Sequence, residues 1–334
     1  MRDLIADYER LRVGGTAVGR AVVTSVWGSA PRPEGSSMLA TRDGTIAGSV
    51  SGGCVESATA AEIVDAMDRG SPKLVTFGVS HDKAWEVGLA CGGTIKVLVE
   101  PTVRSDVLAA ARGEGGEVVA VVLEGAEVGR SARITADGRV EGAPIQSFPM
   151  DRLRDAALEA LGRERSGTVG SVFFEVFPRQ PRLVIFGGVH IATALVPMAS
   201  RLGYRTIVAD GRPGWLTRER FPEADELIPA WPEEAFGRIG LDSSCYVCIL
   251  SHDPKFDEPA LRLALRSPAA YIGAIGSTKT QEARRDRLRK EGFTPEEIAR
   301  VHGPIGLDRG GRQPAETALA ILAEMTQVRY RAGR

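Results

Sequence analysis

The sequence predicts an α/β protein in two parts: a mixed α+β domain over 1–180, then a doubly wound parallel sheet over 181–334. Three observations carry that prediction. At 334 residues the chain exceeds what one ordinary core fills. From Arg182 onward, short all-apolar runs alternate with helical patterns, as strands buried on both faces require. Before that point β-rich runs are joined by tight turns, and Phe177-Pro178-Arg179-Gln180-Pro181 makes a rigid boundary.

In the first part, residues 3–12 read as a short helix and Ala17 to Val26 as a strand entering the rigid loop Gly28–Gly35. A hairpin follows, with Ser37 to Thr41 and Thr45 to Ser49 joined at Asp43-Gly44. It delivers the chain to Gly48-Ser-Val-Ser-Gly-Gly-Cys-Val-Glu56. Gly52 and Gly53 free the backbone just before a helix whose apolar face carries Val55, Ala58, Ile63 and Met67. Cys54 is therefore expected at a helix N-terminus, where unpaired N–H groups and the macrodipole favour an anion and lower a thiol pKa. Glycine-rich turns of this kind before a helix also cradle phosphates.

Strands are expected at Lys73 to Phe77 and Thr94 to Glu100, with Gly88-Leu-Ala-Cys91-Gly92-Gly93 between them. This second glycine-cysteine element mirrors the first, so the two loops are expected to build one site. The spacing of Cys54 and Cys91 is not that of a zinc knuckle or ribbon, and His81 alone completes no ligand set, so no metal site is expected. Residues 104–180 are expected to finish this domain, with strands at Val118 to Leu123, Ser131 to Thr135 and Val169 to Val176 and a helix over Asp151 to Leu161.

In the second part, Leu183 to Phe186 is a buried strand, followed by Gly187-Gly188-Val189-His190, a helix through Leu202, and a strand from Thr206 to Ala209 ending in Asp210. Strand, glycine turn, helix, strand and an acid about 20 residues on form a dinucleotide fingerprint, so this half is Rossmann-like. Val189 stands where the second glycine would let the backbone approach a pyrophosphate, and its β-branched side chain is expected to crowd a dinucleotide there. Cys245 and Cys248 sit three apart on an apolar strand and so face opposite sides, which suits core packing rather than a shared ligand. Ligands of such sheets bind outside the carboxyl ends of the strands, so Gly187, Gly188, His190, Asp210, His252, Gly276 and Ser277 are expected to line one crevice. The Gly276–Thr280 turn, entering a helix with Arg284 and Arg285, reads as a second anion seat.

These motifs, with Ser251-His-Asp-Pro254, Ile275-Gly-Ser277 and Gly303-Pro-Ile-Gly-Leu-Asp308, together resemble the XdhC/CoxI family along nearly the whole chain. That resemblance implies an accessory factor rather than a stand-alone enzyme. Such a factor binds molybdenum cofactor (molybdopterin) transiently, supports its sulfuration and inserts it into an apo-hydroxylase of the xanthine dehydrogenase type. It implies sulfur or cofactor handling by Cys54 and Cys91, with Ser51, Gly52, Gly53, Glu56, Gly92 and Gly93 beside them. Partners expected on this reading are the apo-enzyme and a cysteine desulfurase, with a homodimer as the assembly. The alternative is an NAD(P)-dependent oxidoreductase with His190 or His252 as proton donor. Paired thiol loops favour the carrier, because hydride transfer needs no thiolate.

Composition limits the rest. With 43% hydrophobic and 25% charged residues and a formal net charge of −1, neither a generic nucleic-acid binder nor a membrane-spanning chain is expected. No apolar h-region follows Met1-Arg2-Asp3-Leu4-Ile5, and four cysteines are not a disulfide framework, so a cytoplasmic location is expected.

Overall fold

In the computed structural model, residues 1–29, 31–78, 93–113, 115–308 and 313–331 are described. Cys91, Gly92 and His81 fall outside them. The chain forms two compact units, Met1–Arg179 and Gln180–Arg334.

The first unit begins with α1 (Ile5–Leu11), β1 (Val18–Trp27), β2 (Ser37–Thr41), β3 (Ile46–Gly48), α2 (Glu56–Arg69), β4 (Lys73–Gly78) and β5 (Thr94–Glu100). These strands make an antiparallel sheet in the order β3-β2-β1-β5-β4. Then come α3 (Ser105–Arg112), β6 (Glu117–Val122), β7 (Ser131–Thr135), β8 (Val140–Gly142), α4 (Met150–Gly162), β9 (Gly167–Val169) and β10 (Val172–Phe177). They add a second antiparallel sheet, β8-β7-β6-β10-β9. Residues 104–180 thus hold a complete sheet of their own. The single strand expected over Val169 to Val176 is two, because Gly170 turns the chain at φ +60. The strand expected to reach Ser49 stops at Gly48, where φ is +78 and a Cβ would lie 2.7 Å from Leu4.

Period-two alternation sorts β1 between two cores. Ala21 and Val23 face α2 with Ile63 and Ala66, whereas Val22 meets Leu98, Val121 and Phe173 between the sheets. Gly19 keeps the α2 side free, since a Cβ there would strike Ile63. The far face of the second sheet packs Leu153 and Ala157 of α4. The layers therefore run helix, sheet, sheet, helix.

The second unit opens with β11 (Arg182–Phe186), α5 (His190–Arg201), β12 (Arg205–Ala209), β13 (Glu226–Ile228), α6 (Pro232–Ile239) and β14 (Cys245–Ile249). It continues through α7 (Pro254–Leu265), β15 (Tyr271–Ala274), α8 (Thr278–Lys290), α9 (Pro295–Ala299), β16 (Val301–His302) and α10 (Pro314–Arg331). All six strands are parallel, ordered β13-β12-β11-β14-β15-β16, and the order reverses beside β11. Leu183 and Ile185 face α5 and α10; Val184 and Phe186 face α6 and α7. Cys245 packs in the second of these cores and Cys248 in the first, so the two thiols lie on opposite faces. Helix α7 starts at Pro254, because Asp253 accepts from Lys255 N and Pro254 takes the first turn. Among the described residues no helix is long and apolar enough to cross a membrane.

Candidate functional site

The glycine-serine loop before α2 is organised by one carboxylate. Glu56 is 9% exposed and turns back into the loop that precedes it. Its Oε1 accepts from Ser49 Oγ at 2.6 Å and Ser51 N at 2.9 Å; its Oε2 accepts from Ser51 Oγ at 2.7 Å and Gly53 N at 2.8 Å. The amides of Val50, Gly52 and Val55 add longer bonds of 3.1–3.2 Å. Burial opposes the charge of Glu56, but hydrogen bonds from Ser49 and Ser51 outweigh it and pull its carboxyl down to about 2. The anion that these amides cradle is therefore part of the chain. Gly52 and Gly53 hold φ of +82 and +122 to aim the amides inward, which only glycine does without strain.

Cys54 rides on the outer side of this loop, exposed, with its N–H donated to Ser51 Oγ at 3.1 Å. The described flanks of both glycine-cysteine elements meet the segment between β1 and β2: a Cβ on Gly52 would touch Pro31 at 3.3 Å, and one on Gly93 would strike the Ser29 carbonyl. Cys245 and Cys248 are fully buried, and burial pushes both thiols up. An alkylating reagent is expected to label Cys54 in the folded protein, with Cys245 and Cys248 at least about a hundredfold slower until the chain unfolds. Equal rates by peptide mapping would contradict the assignment.

The crevice expected over the second sheet divides in two. At β11 and β12, Gly187 (φ +111) lets Ser251 N pass where a Cβ would lie 2.6 Å away, and Gly188 is covered by Leu216 and Trp215. Val189 has φ −80 and ψ 174, which any residue adopts, and its half-buried side chain packs on the α5 face of the sheet. The crowding expected from Val189 thus comes instead from the chain's own 215–216 segment over Gly188. His190 begins α5 and is exposed.

Asp210 is 1% exposed and wholly engaged. Its Oδ2 accepts from Gly188 N at 2.7 Å and Arg212 NH2 at 2.6 Å; its Oδ1 accepts from Arg212 N and Nε, each at 2.9 Å. The Arg212 guanidinium in turn lies 3.5 Å over the Trp215 ring. In a dinucleotide site that carboxylate would face a ribose diol and the glycine turn a pyrophosphate. Here an internal cation holds the first and an internal loop covers the second, so these residues do not fit a dinucleotide laid along the fingerprint. Arg212 had no sequence signal beyond standing two residues after the acid.

Among the described residues, open space lies one step along the sheet. A cavity of about 420 Å³ at the carboxyl ends of β14 and β15 is lined by His252, Gly276 and Ser277, which were expected there, and by Asp257, Arg284 and Thr317 among others. His252 holds a left-handed φ of 61. Ser277 caps α8, accepting from Thr280 N at 3.2 Å. Arg284 lines the cavity, whereas Arg285 donates to the Gly303 carbonyl at 3.3 Å. Among the described residues no group of three or more His, Cys, Asp or Glu side chains is arranged to hold a metal ion.

The fold and these sites define a two-unit α/β protein. Its Rossmann-type sheet has an open cavity beside β14 and β15, and its N-terminal unit presents a thiol on a locked loop. Residues 183–325 match the family model of the XdhC Rossmann domain, and residues 11–78 that of the XdhC and CoxI family. The chain belongs to the XdhC/CoxI family. It is 27% identical over 325 residues to a Bacillus subtilis (strain 168) protein named as a probable subunit of xanthine dehydrogenase, covering 93% of each chain. It is also 27% identical over 314 residues to the molybdenum cofactor insertion chaperone PaoD of Escherichia coli (strain K12), covering 93% of this chain and 84% of that one. A crystal structure of a xanthine dehydrogenase from Bacillus halodurans superposes with a TM-score of 0.80 at 27% identity, over 99% of this chain and 96% of that one.

Proposed function

We propose that this protein is a carrier in molybdenum cofactor maturation. It binds the cofactor transiently, supports its sulfuration, and inserts it into the apo form of a xanthine dehydrogenase-type hydroxylase. Likeness along 93% of the chain to a protein named as a molybdenum cofactor insertion chaperone supports the cargo. The observation that carries the site is the Glu56 lock. A loop whose amides are spent on an internal carboxylate is rigid, and what it presents outward is an exposed thiol. On this reading Cys54 handles sulfur or cofactor, with Cys91 as its counterpart. Ser51, Gly52, Gly53 and Glu56 act by positioning the loop, and Gly92 and Gly93 do the same for the second element. A cysteine desulfurase is the natural sulfur donor, and a cytoplasmic homodimer the working form.

The nicotinamide-dependent reading would need Asp210 and the Gly187–Gly188 turn free, and Arg212, Trp215 and Leu216 engage both. The two readings separate in one experiment. Purified protein is mixed anaerobically with isolated molybdenum cofactor or with NADPH, then passed over a sizing column. Carriage predicts that the pterin absorbance travels with the protein and that NADPH does not. Comigration of NADPH alone would replace the carrier by the oxidoreductase.

A further inference from the structure

The cavity at β14 and β15 has the parts of an oxyanion seat. Its volume of about 420 Å³ falls within the range of small-molecule sites. One wall is the first turn of α8, a helix of 13 residues with no acidic residue in that turn. Ser277 Oγ takes the Thr280 amide at 3.2 Å, and Gly276, at φ +137, brings the chain into the turn where a side chain would meet Thr280. Uncompensated N–H groups and the positive end of the dipole therefore face this space.

The second, independent feature is Arg284. It is 5% exposed, lines the cavity, and its Nε has no hydrogen-bond partner. Its NH1 donates to the Ile275 carbonyl at 3.2 Å and to Gln281 Oε1 at 2.7 Å, which fixes the guanidinium plane. Its NH2 forms an ion pair with Asp257 Oδ2 at 3.6 Å, longer than a hydrogen bond. Burial penalises this charge and pushes the guanidinium pKa down, a cost an anion would relieve. The acids on the wall have cationic partners: Asp257 pairs with Arg284 itself and accepts from Ser251 Oγ at 2.6 Å, and Glu258 pairs with Arg287 at 2.8 Å. With those pairs formed, the first turn of α8 adds positive potential to this space.

We propose that this cavity binds a phosphate monoester, its phosphate on the first turn of α8 beside Arg284 and its organic part along the wall formed by Ile275, Pro304 and Ile305. The proposal deepens the carrier reading and rests on it, because it makes this seat the anchor for the phosphate end of the cargo. It also explains why the fingerprint at Gly187–Asp210 can be closed while the sheet still carries a ligand.

The test uses the full chain and Thr280→Glu. That substitution completes a Ser-x-x-Glu capping box on an exposed first-turn position, so α8 should fold at least as well while its own carboxylate fills the seat. Inorganic phosphate and phenyl phosphate are titrated calorimetrically, and the melting temperature is recorded for both proteins. Saturable binding to wild type is expected, with the monoester tighter than free phosphate, and a loss of about tenfold or more in Thr280→Glu without a lower melting temperature. Equal phosphate affinity in the two proteins, or no saturable binding to wild type, would overturn the seat. Equal retention of isolated molybdenum cofactor by both would overturn its role as the cargo anchor while leaving the carrier reading intact. Failure of wild type itself to retain the cofactor would strike the carrier reading instead.

Discussion

Arg20→Met is expected to destabilise the N-terminal unit by about 3 to 5 kcal/mol, the cost of stranding a buried partner charge. Arg20 lies on β1, 0% exposed, on the face between the two sheets. It donates to Glu100 of β5 at 3.1 Å, to Ser37 Oγ of β2 at 2.8 Å, and to Glu175 of β10. One guanidinium thus joins the first sheet to the second. Glu100 keeps Arg104 at 3.0 Å when Arg20 is removed, but Glu175, 2% exposed, is left as an unpaired charge between two apolar layers. Methionine fills the volume but supplies no donor. The double variant Arg20→Met with Glu175→Gln should recover much of the loss, because it removes the stranded charge. Urea denaturation of the three proteins reads this directly. A loss below about 1 kcal/mol in the single variant would mean that the cluster is solvated and the sheets are held by their apolar contacts alone.

Glu56→Gln should have the next largest effect and a distinct pH signature. The carboxyl is pulled from 4.5 to about 2 by the hydroxyls and amides around it. A group whose folded pKa is depressed contributes stability that is fully present above its unfolded value and disappears as pH falls through the folded one. Wild type should therefore lose this contribution between about pH 4.5 and pH 2, and the Gln variant should lack it throughout. The full shift corresponds to about 3 kcal/mol; because the outer side of the loop is open to water, about 2 is expected at neutral pH. Gln also turns an amide NH2 toward a ring of N–H donors, where only acceptors fit. Wild type and variant should then converge in stability near pH 2. A constant gap across the whole range would mean that the charge of Glu56 is not what holds the loop.

The two halves of the molecule were legible to different depths. The parallel sheet declared itself because Leu183 to Phe186 and Cys245 to Ile249 are runs with no polar position, a pattern that only a strand covered on both faces tolerates. Period two alone placed Cys245 and Cys248 on opposite faces. The second antiparallel sheet was harder to see, since Gly170 breaks one apolar run into two strands and β8 has only three residues. At the sites, residue types were readable but their commitments were not. A turn rich in amides reads as a cradle for an outside anion, and nothing local says that Glu56 already fills it. Asp210 reads as a diol acceptor, yet its partner Arg212 and the cover over Gly188 arise from how the chain folds back after β12. The Arg20 cluster draws on Glu100 and Glu175, partners 80 and 155 residues away, which no window of sequence brings together.

The carrier account is tested most directly by reconstitution of an apo-hydroxylase. The full chain and its Cys54→Ser variant are loaded anaerobically with molybdenum cofactor to equal occupancy, and each is incubated with a xanthine dehydrogenase-type apo-enzyme and a sulfur source. The account predicts that loaded wild type restores hydroxylase activity well above free cofactor, while Cys54→Ser, folded and equally loaded, restores about tenfold less, the thiol being needed for the sulfur that makes the cofactor active. Equal restoration by the two proteins, or none by wild type beyond free cofactor, would contradict it.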